Sequence, residues 1–263
     1  MTNKWQLKWS DEFNYSGIPD PEKWKAEEGL IRNQELQFYT RGRPENARVE
    51  DGRLIIEAHR ENWPVAGFTS ASLSTQGLRD WCYGRFEMSA KLPAARGTWP
   101  AFWTLGADID SVDWPRCGEI DIMEYVGHEP GIKGIYGNVH YGDPIHHAFI
   151  EPRDFRDSAK PDLQALDSIP WKGLHRVPDA ATSFHVYAVE WFPDRIDFFV
   201  DDARYLTYTK ADSNDGTWPF DKPHFLMVNL AVGGAWGGHL GVDETAFPQR
   251  YEIEYVRVYQ EMA

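Results

Sequence analysis

Three carboxylates, Glu119, Asp121 and Glu124, fall within six residues of Cys117-Gly118-Glu119-Ile120-Asp121-Ile122-Met123-Glu124-Tyr125. A solvated acidic surface has no reason to alternate with large apolar side chains. In a β-strand, residues two apart share a face, so Glu119 and Asp121 point one way while Ile120 and Ile122 point into a core. Glu124 is out of phase by one residue. A single-residue β-bulge near Met123 returns it to the acidic face, lining one side of one strand with three carboxylates. Like charges that close together hold protons on some of them. One ionised carboxylate beside a protonated one is the pairing that acid–base and nucleophilic chemistry needs. The same spacing also suits solvated acids on an edge strand, or oxygen ligands for calcium.

The strand needs a scaffold, and composition bounds it. A chain of 263 residues suits one large all-β domain. With 27 basic and 41 acidic residues its formal charge is −14, which excludes a phosphate-neutralising nucleic-acid partner and a polybasic membrane anchor. No apolar stretch reaches the roughly 18 residues of a membrane span. Met1-Thr2-Asn3-Lys4-Trp5 lacks the apolar run of a signal peptide. Cys82 and Cys117, the only cysteines, are expected to be free thiols. The 12 Trp, 12 Tyr and 14 Phe provide core volume and also rings that stack on sugars.

Strand signals dominate the chain. Arg53–Ala58 follows the turn Asp51-Gly52; Gly84–Leu92 alternates; Phe184–Trp191 and Arg195–Val200 are separated by Pro193-Asp194; His224–Val232 is nearly all apolar; Tyr251–Tyr259 alternates again. No helix of three turns is visible. Many short strands with Gly, Pro and Asp turns predict a β-sandwich of jelly-roll type in a single domain, residues 1–263. Gly142 to Pro178, polar and proline-rich, reads as a long loop that includes His146 and His147. Trp99 and Trp103, four apart, share a face of a regular strand. Trp236, in Gly233-Gly234-Ala235-Trp236-Gly237-Gly238, fits a projecting sugar platform better than a phosphate loop, because no Lys-Ser/Thr and no helix signal follow.

Glu119-Ile-Asp121-Ile-Met-Glu124 resembles the active-site signature of glycoside hydrolase family 16, in the bulged form of its laminarinase-like branch. Trp9–Phe13, Asn33–Thr40, Glu45–Val49, Tyr83–Glu87, Gly97–Trp103, Gly233–Gly238 and Tyr255–Tyr259 are similar to blocks of that branch in the same order. The resemblance implies a concave jelly roll and an endo-acting, retaining β-glucanase for β-1,3- or mixed β-1,3/1,4-glucan. It assigns Glu119 as nucleophile, Glu124 as general acid/base and Asp121 as the group orienting the nucleophile. It places Trp103, Trp114, His140 and Asn33 at the substrate, with Trp99 and Trp236 as further cleft aromatics. It also implies a structural calcium at Glu12, Gly52 and Glu254, although Glu254 stands where Asp is usual. Catalysis needs no cofactor. Retaining chemistry needs carboxyls about 5–5.5 Å apart. A straight strand separates Cα atoms at this spacing by roughly 13 Å, so curvature and the bulge must close the gap.

Two departures bear on substrate. Ser72 stands where the branch often has Arg, and the Gly142–Pro178 loop differs after His140. A galactan hydrolase of the agar type is the alternative enzyme, and a non-catalytic carbohydrate-binding sandwich the alternative outside enzymes. The expected partner is a polysaccharide substrate, with no nucleic acid and no membrane, and the protein is expected to be a monomer. The expected location is secreted or periplasmic, with a signal absent from this chain; the cytoplasm is the alternative.

Overall fold

The computed structural model describes residues 4–127, 134–142, 146–147 (backbone only), 173–213 and 217–262. Along the chain run β1 (Trp5–Asp11), β2 (Lys25–Ala26), β3 (Gln37–Tyr39), β4 (Ala47–Glu50), β5 (Arg53–Trp63), β6 (Ala66–Ser70), β7 (Ser72–Ser74), β8 (Gly84–Lys91) and β9 (Thr98–Gly106). There follow β10 (Glu119–Glu124), β11 (Gly134–Tyr141), β12 (His146–His147), β13 (Leu174–Arg176), β14 (His185–Trp191), β15 (Arg195–Val200), β16 (Ala203–Thr209), β17 (His224–Val232) and β18 (Gln249–Glu261). The α-helices among the described residues are single turns, α1 (Ile109–Val112) and α2 (Gly234–Gly237).

The strands form two sheets. The first runs β16-β15-β14-β8-β18-β5-β6-β3, with β1 on β18 and β4 on β5. The second runs β12-β11-β10-β9-β17-β7-β2, with β13 on β11. Their inner faces share one core. Phe86 and Met88 of β8, Tyr187 and Val189 of β14, and Val256 and Val258 of β18 meet Phe102 of β9, Ile120 of β10, and Leu226 and Val228 of β17. The alternation seen in the sequence is therefore the in–out pleat of strands between core and surface. Many of the aromatics are spent here, including Trp24, Trp81, Trp191 and Trp218.

The loop expected over Gly142–Pro178 lies mostly outside the described residues. Where described it contains β12 and β13, both paired to β11. His146 and His147 therefore sit on a short strand, opposite Tyr141 and His140, rather than in a loop. The Gly233–Gly238 segment also differs from expectation. It folds into the single turn α2, too short to leave a helical period. Gly233 and Gly234 enter it at φ 71° and 77°, a region that glycine occupies without strain.

The element that matters most is β10, and its bulge is present. Against β9, Glu119 pairs with Leu105, Ile120 with Thr104, Asp121 with Trp103, Met123 with Phe102 and Glu124 with Ala101, with the register shifting between Asp121 and Met123. The partners of the three acids, Leu105, Trp103 and Ala101, are two apart and share a face. Ile122 and Met123 are both buried in the core, at 1% and 0% exposure, although they are adjacent. A regular strand would send one of them outward. Each Ile122→Ala and Met123→Ala variant is therefore expected to lose about 2–5 kcal/mol in urea unfolding. A near-neutral result for either would mean that the register is regular.

Candidate active site

Strand pairing lays the outer face of the second sheet out in rows. One row reads Ser72, Asn229, Ala101, Glu124, Tyr136; the next reads Ser74, Met227, Trp103, Asp121, Asn138; the third reads Phe225, Leu105, Glu119, His140, His147. The three carboxylates thus stand on one face, flanked by β9 on one side and β11 on the other.

Each carboxylate has a specific polar neighbour. Trp114 Nε1 donates to Glu119 Oε2 at 2.7 Å from the loop that ends in Cys117. His140 Nε2 lies 2.8 Å from Asp121 Oδ2 and 3.8 Å from Glu119 Oε1. Trp99 Nε1 donates to Glu124 Oε1 at 3.0 Å. Burial, followed by the charge of Asp121, pushes the Glu119 carboxyl up to about 8, against the opposing pull of His140 and the Trp114 N–H. Glu119 and Asp121 are hydrogen-bonded to each other. Below pH 8 this pair therefore keeps a proton between them. The repulsion expected among the carboxylates acts within this pair, whose members lie two apart on one strand face.

The aromatics sort into different roles. Trp114 is 44% exposed and its ring centroid is 6.4 Å from that of His140. Trp99 and Tyr136 each make an edge-on contact with Trp236, at 5.5 and 4.9 Å between ring centroids. Trp103 faces the cleft side, as expected, but its indole is only 7% exposed. Arg32 lies over it with Cζ 5.2 Å from the ring centroid, and its Nε1 donates to Asn229 Oδ1 at 2.7 Å. Asn33 is exposed at a left-handed turn (φ 54°); its carbonyl accepts from Ala235, at the start of the Trp236 turn.

Sequence reasoning passed over Arg32, Tyr136, Asn138 and Asn229. Tyr136 and Asn138 were accessible to it, because they share a strand face with His140 at spacings of four and two. Arg32 left no such trace, since it belongs to no strand. Ser72, where a guanidinium was missing, donates to Glu27 at 2.5 Å, and Arg32 pairs with that same carboxylate. The positive charge absent at Ser72 is thus supplied by Arg32.

The expected calcium ligands, Glu12, Gly52 and Glu254, lie on neighbouring segments. Strand pairing brings their segments together, with Asp11 opposite Val256 and Leu54 opposite Ile253. Arg257, however, engages both Glu12 oxygens, at 2.9 and 2.7 Å, and Ser89 donates to Glu254 at 2.7 Å. The group of metal-ligating side chains that does converge among the described residues is Glu119, Asp121 and His140, with donor atoms within 4.8 Å of one another. Their mutual hydrogen bonding accounts for that proximity. Cys82 and Cys117 are free thiols, as expected.

Comparison with known proteins follows the same geometry. Residues 34–257 match the model of glycosyl hydrolases family 16. The chain belongs to that family. It is 48% identical to the Beta-glucanase of Rhodothermus marinus, over 97% of this chain and 85% of that protein. It is 36% identical to a Glucan endo-1,3-beta-glucosidase of Cryptopygus antarcticus, over 96% of this chain and 91% of that one. The crystal structure of the laminarinase from Rhodothermus marinus superposes with a TM-score of 0.83 at 43% identity, covering 98% of both chains. The two-sheet sandwich is thus the jelly roll expected of a family 16 glycoside hydrolase.

Two measurements test the electrostatics. A folded-state pKa of about 8 for Glu119, above its ordinary value of 4.5, means that the folded protein holds an extra proton between those values. The associated stability is complete below pH 4.5 and is lost as pH rises through 8. Glu119→Gln removes that loss, so its melting temperature should exceed that of the wild type at pH 8.5 and converge with it near pH 4.5. A constant difference across that range would contradict the shift. Separately, the calcium expected at Glu12, Gly52 and Glu254 should make excess chelator lower the melting temperature by several degrees, reversibly on adding calcium; an unchanged melting temperature would rule the ion out.

Proposed function

We propose that this protein is an endo-acting, retaining β-glucanase that hydrolyses β-1,3- or mixed β-1,3/1,4-glucan. The observation that carries the reading is the bulged β10, which gathers Glu119, Asp121 and Glu124 on one face beside aromatic side chains. Similarity over nearly the whole chain to a named beta-glucanase and a named endo-1,3-beta-glucosidase supports the substrate class. The intact carboxylates favour hydrolysis over binding alone.

The chemistry follows from the neighbours. Glu119 attacks the anomeric carbon as its glycosidic C–O bond breaks, and Glu124 protonates the leaving oxygen. Water then attacks the glycosyl–Glu119 ester, with Glu124 accepting its proton. The anion required for attack is available when the proton of the Glu119–Asp121 pair rests on Asp121. His140, 2.8 Å from Asp121, and the Trp114 N–H, 2.7 Å from Glu119, fix the orientation of the pair. Trp99 fixes Glu124. Trp99, Trp236 and Tyr136 form an aromatic wall at the Glu124 end of the site. Glucan hydrolysis suits a protein that meets its substrate outside the cytoplasm.

Kinetics on variants test the assignment. Glu119→Ala should lose turnover on laminarin yet convert a glycosyl α-fluoride donor into transfer products. Glu124→Ala should fall by about 10²–10⁴ on laminarin, and by much less on a donor whose leaving group needs no proton. Asp121→Asn should be milder than either. The pH profile should be bell-shaped, with limbs belonging to the coupled carboxylates together. Laminarin should be cleaved faster than agarose. Wild-type rates in Glu119→Ala would overturn the site, and equal or faster agarose cleavage would overturn the substrate class.

A further inference from the structure

Arg32 lies on the cleft side of the second sheet and has no part in the reaction described above. Its guanidinium rests over two rings, 5.2 Å from the Trp103 centroid and 5.8 Å from that of Tyr39. Nη2 is paired with Glu27, and the Arg32 side chain remains 20% exposed. Nη1 is sealed from solvent and meets no acceptor among the described residues.

Two observations conflict with a packing role. Trp103 occupies the row of Asp121, where a bare indole would be a platform for sugar, yet Arg32 covers it and leaves it 7% exposed. An aliphatic side chain would cover that ring without bringing a charge and its counter-charge, Glu27, into a partly desolvated place. Arg also carries five N–H donors in a planar fork. Glu27 takes those on one side only, and buried donors left unpaired cost free energy until an acceptor arrives. A glucan presents a dense set of hydroxyl oxygens of that kind. The Arg32 side chain is 20% exposed, which leaves part of the fork open on the cleft side.

We propose that Arg32 is a specificity-determining, substrate-binding residue: its guanidinium, laid across Trp103, floors the glucosyl subsite beside Asp121 and donates hydrogen bonds to sugar hydroxyls. The proposal rests on the glucanase reading above. A hydrogen-bonding floor discriminates by hydroxyl position, whereas a bare indole accepts any flat apolar sugar face. Binding on Arg32 is made in ground and transition states alike, so its loss should appear in KM rather than in kcat.

The test compares the wild type with Arg32→Ala and with the double variant Arg32→Met/Glu27→Gln, using laminarin oligosaccharides. The double variant keeps a side chain over Trp103 and removes both charges together, so no carboxylate is left unpaired. Both variants should raise KM by about tenfold, the scale of one charge-assisted hydrogen bond, with kcat within about twofold. The double variant should unfold within a few degrees of the wild type. An unchanged KM in the double variant would show that covering Trp103 is all Arg32 does. A lower KM in Arg32→Ala would show that the uncovered Trp103 is the platform. Either result overturns the proposal while leaving the glucanase reading intact. That reading falls separately if the wild type does not cleave laminarin oligosaccharides at all.

Discussion

The bulge in β10 is the constraint on which the site depends. Without it, a six-residue strand with acids at its first, third and sixth positions divides them between core and cleft. With it, Ile122 and Met123 both enter the core and Glu124 regains the face of Glu119 and Asp121. The burial of two adjacent large side chains, each worth about 1.5–3 kcal/mol, holds the irregularity in place. Core packing on the inner side therefore fixes the catalytic geometry on the outer side. The surrounding elements carry the consequence outward, because His140 on β11, Trp99 on β9 and Trp114 in the loop before β10 become the neighbours that engage the acids.

Those neighbours share one physical task, which is to keep negative charge tolerable in a half-buried place. Glu119 and Asp121 keep a proton between them, and His140 and the Trp114 N–H offset what remains. Farther along the sheet, Glu27 is matched by Arg32 and Ser72. Glu35, its carboxyl raised by burial, accepts from Asn33, Gln37 and Tyr39. Tyr39 in turn accepts from Asn229, which holds Trp103. Glu35, Gln37, Tyr39, Asn229 and Trp103 thus form a connected polar network on the outer face of the sheet, and the −14 formal charge of the chain does not translate into a bare acidic groove.

How much of this the sequence revealed follows from what leaves a period. The sandwich was legible because its long strands alternate, and β8, β14, β15 and β17 begin and end within about a residue of the expected runs. The bulge was legible as a break in phase, since Met123 and Glu124 could not both satisfy an alternating strand. Arg32 over Trp103 was not legible, because a turn residue meeting a strand ring depends on how two loops fold over the sheet. Nor was the capture of Glu12 by Arg257, a pair separated by 245 positions. The α2 turn was hidden because four residues are too few to show a helical face.

The central claim is that one bulged strand presents Glu119 as nucleophile and Glu124 as its proton partner. Trapping the covalent intermediate tests it most directly. A 2-deoxy-2-fluoro laminaribiosyl fluoride should inactivate the wild-type protein with a stoichiometric mass increase. Peptide mapping should then place the sugar on Glu119, and Glu124→Gln should still be labelled. Attachment to Asp121 or Glu124, or fluoride release and turnover without any covalent adduct, would contradict the account.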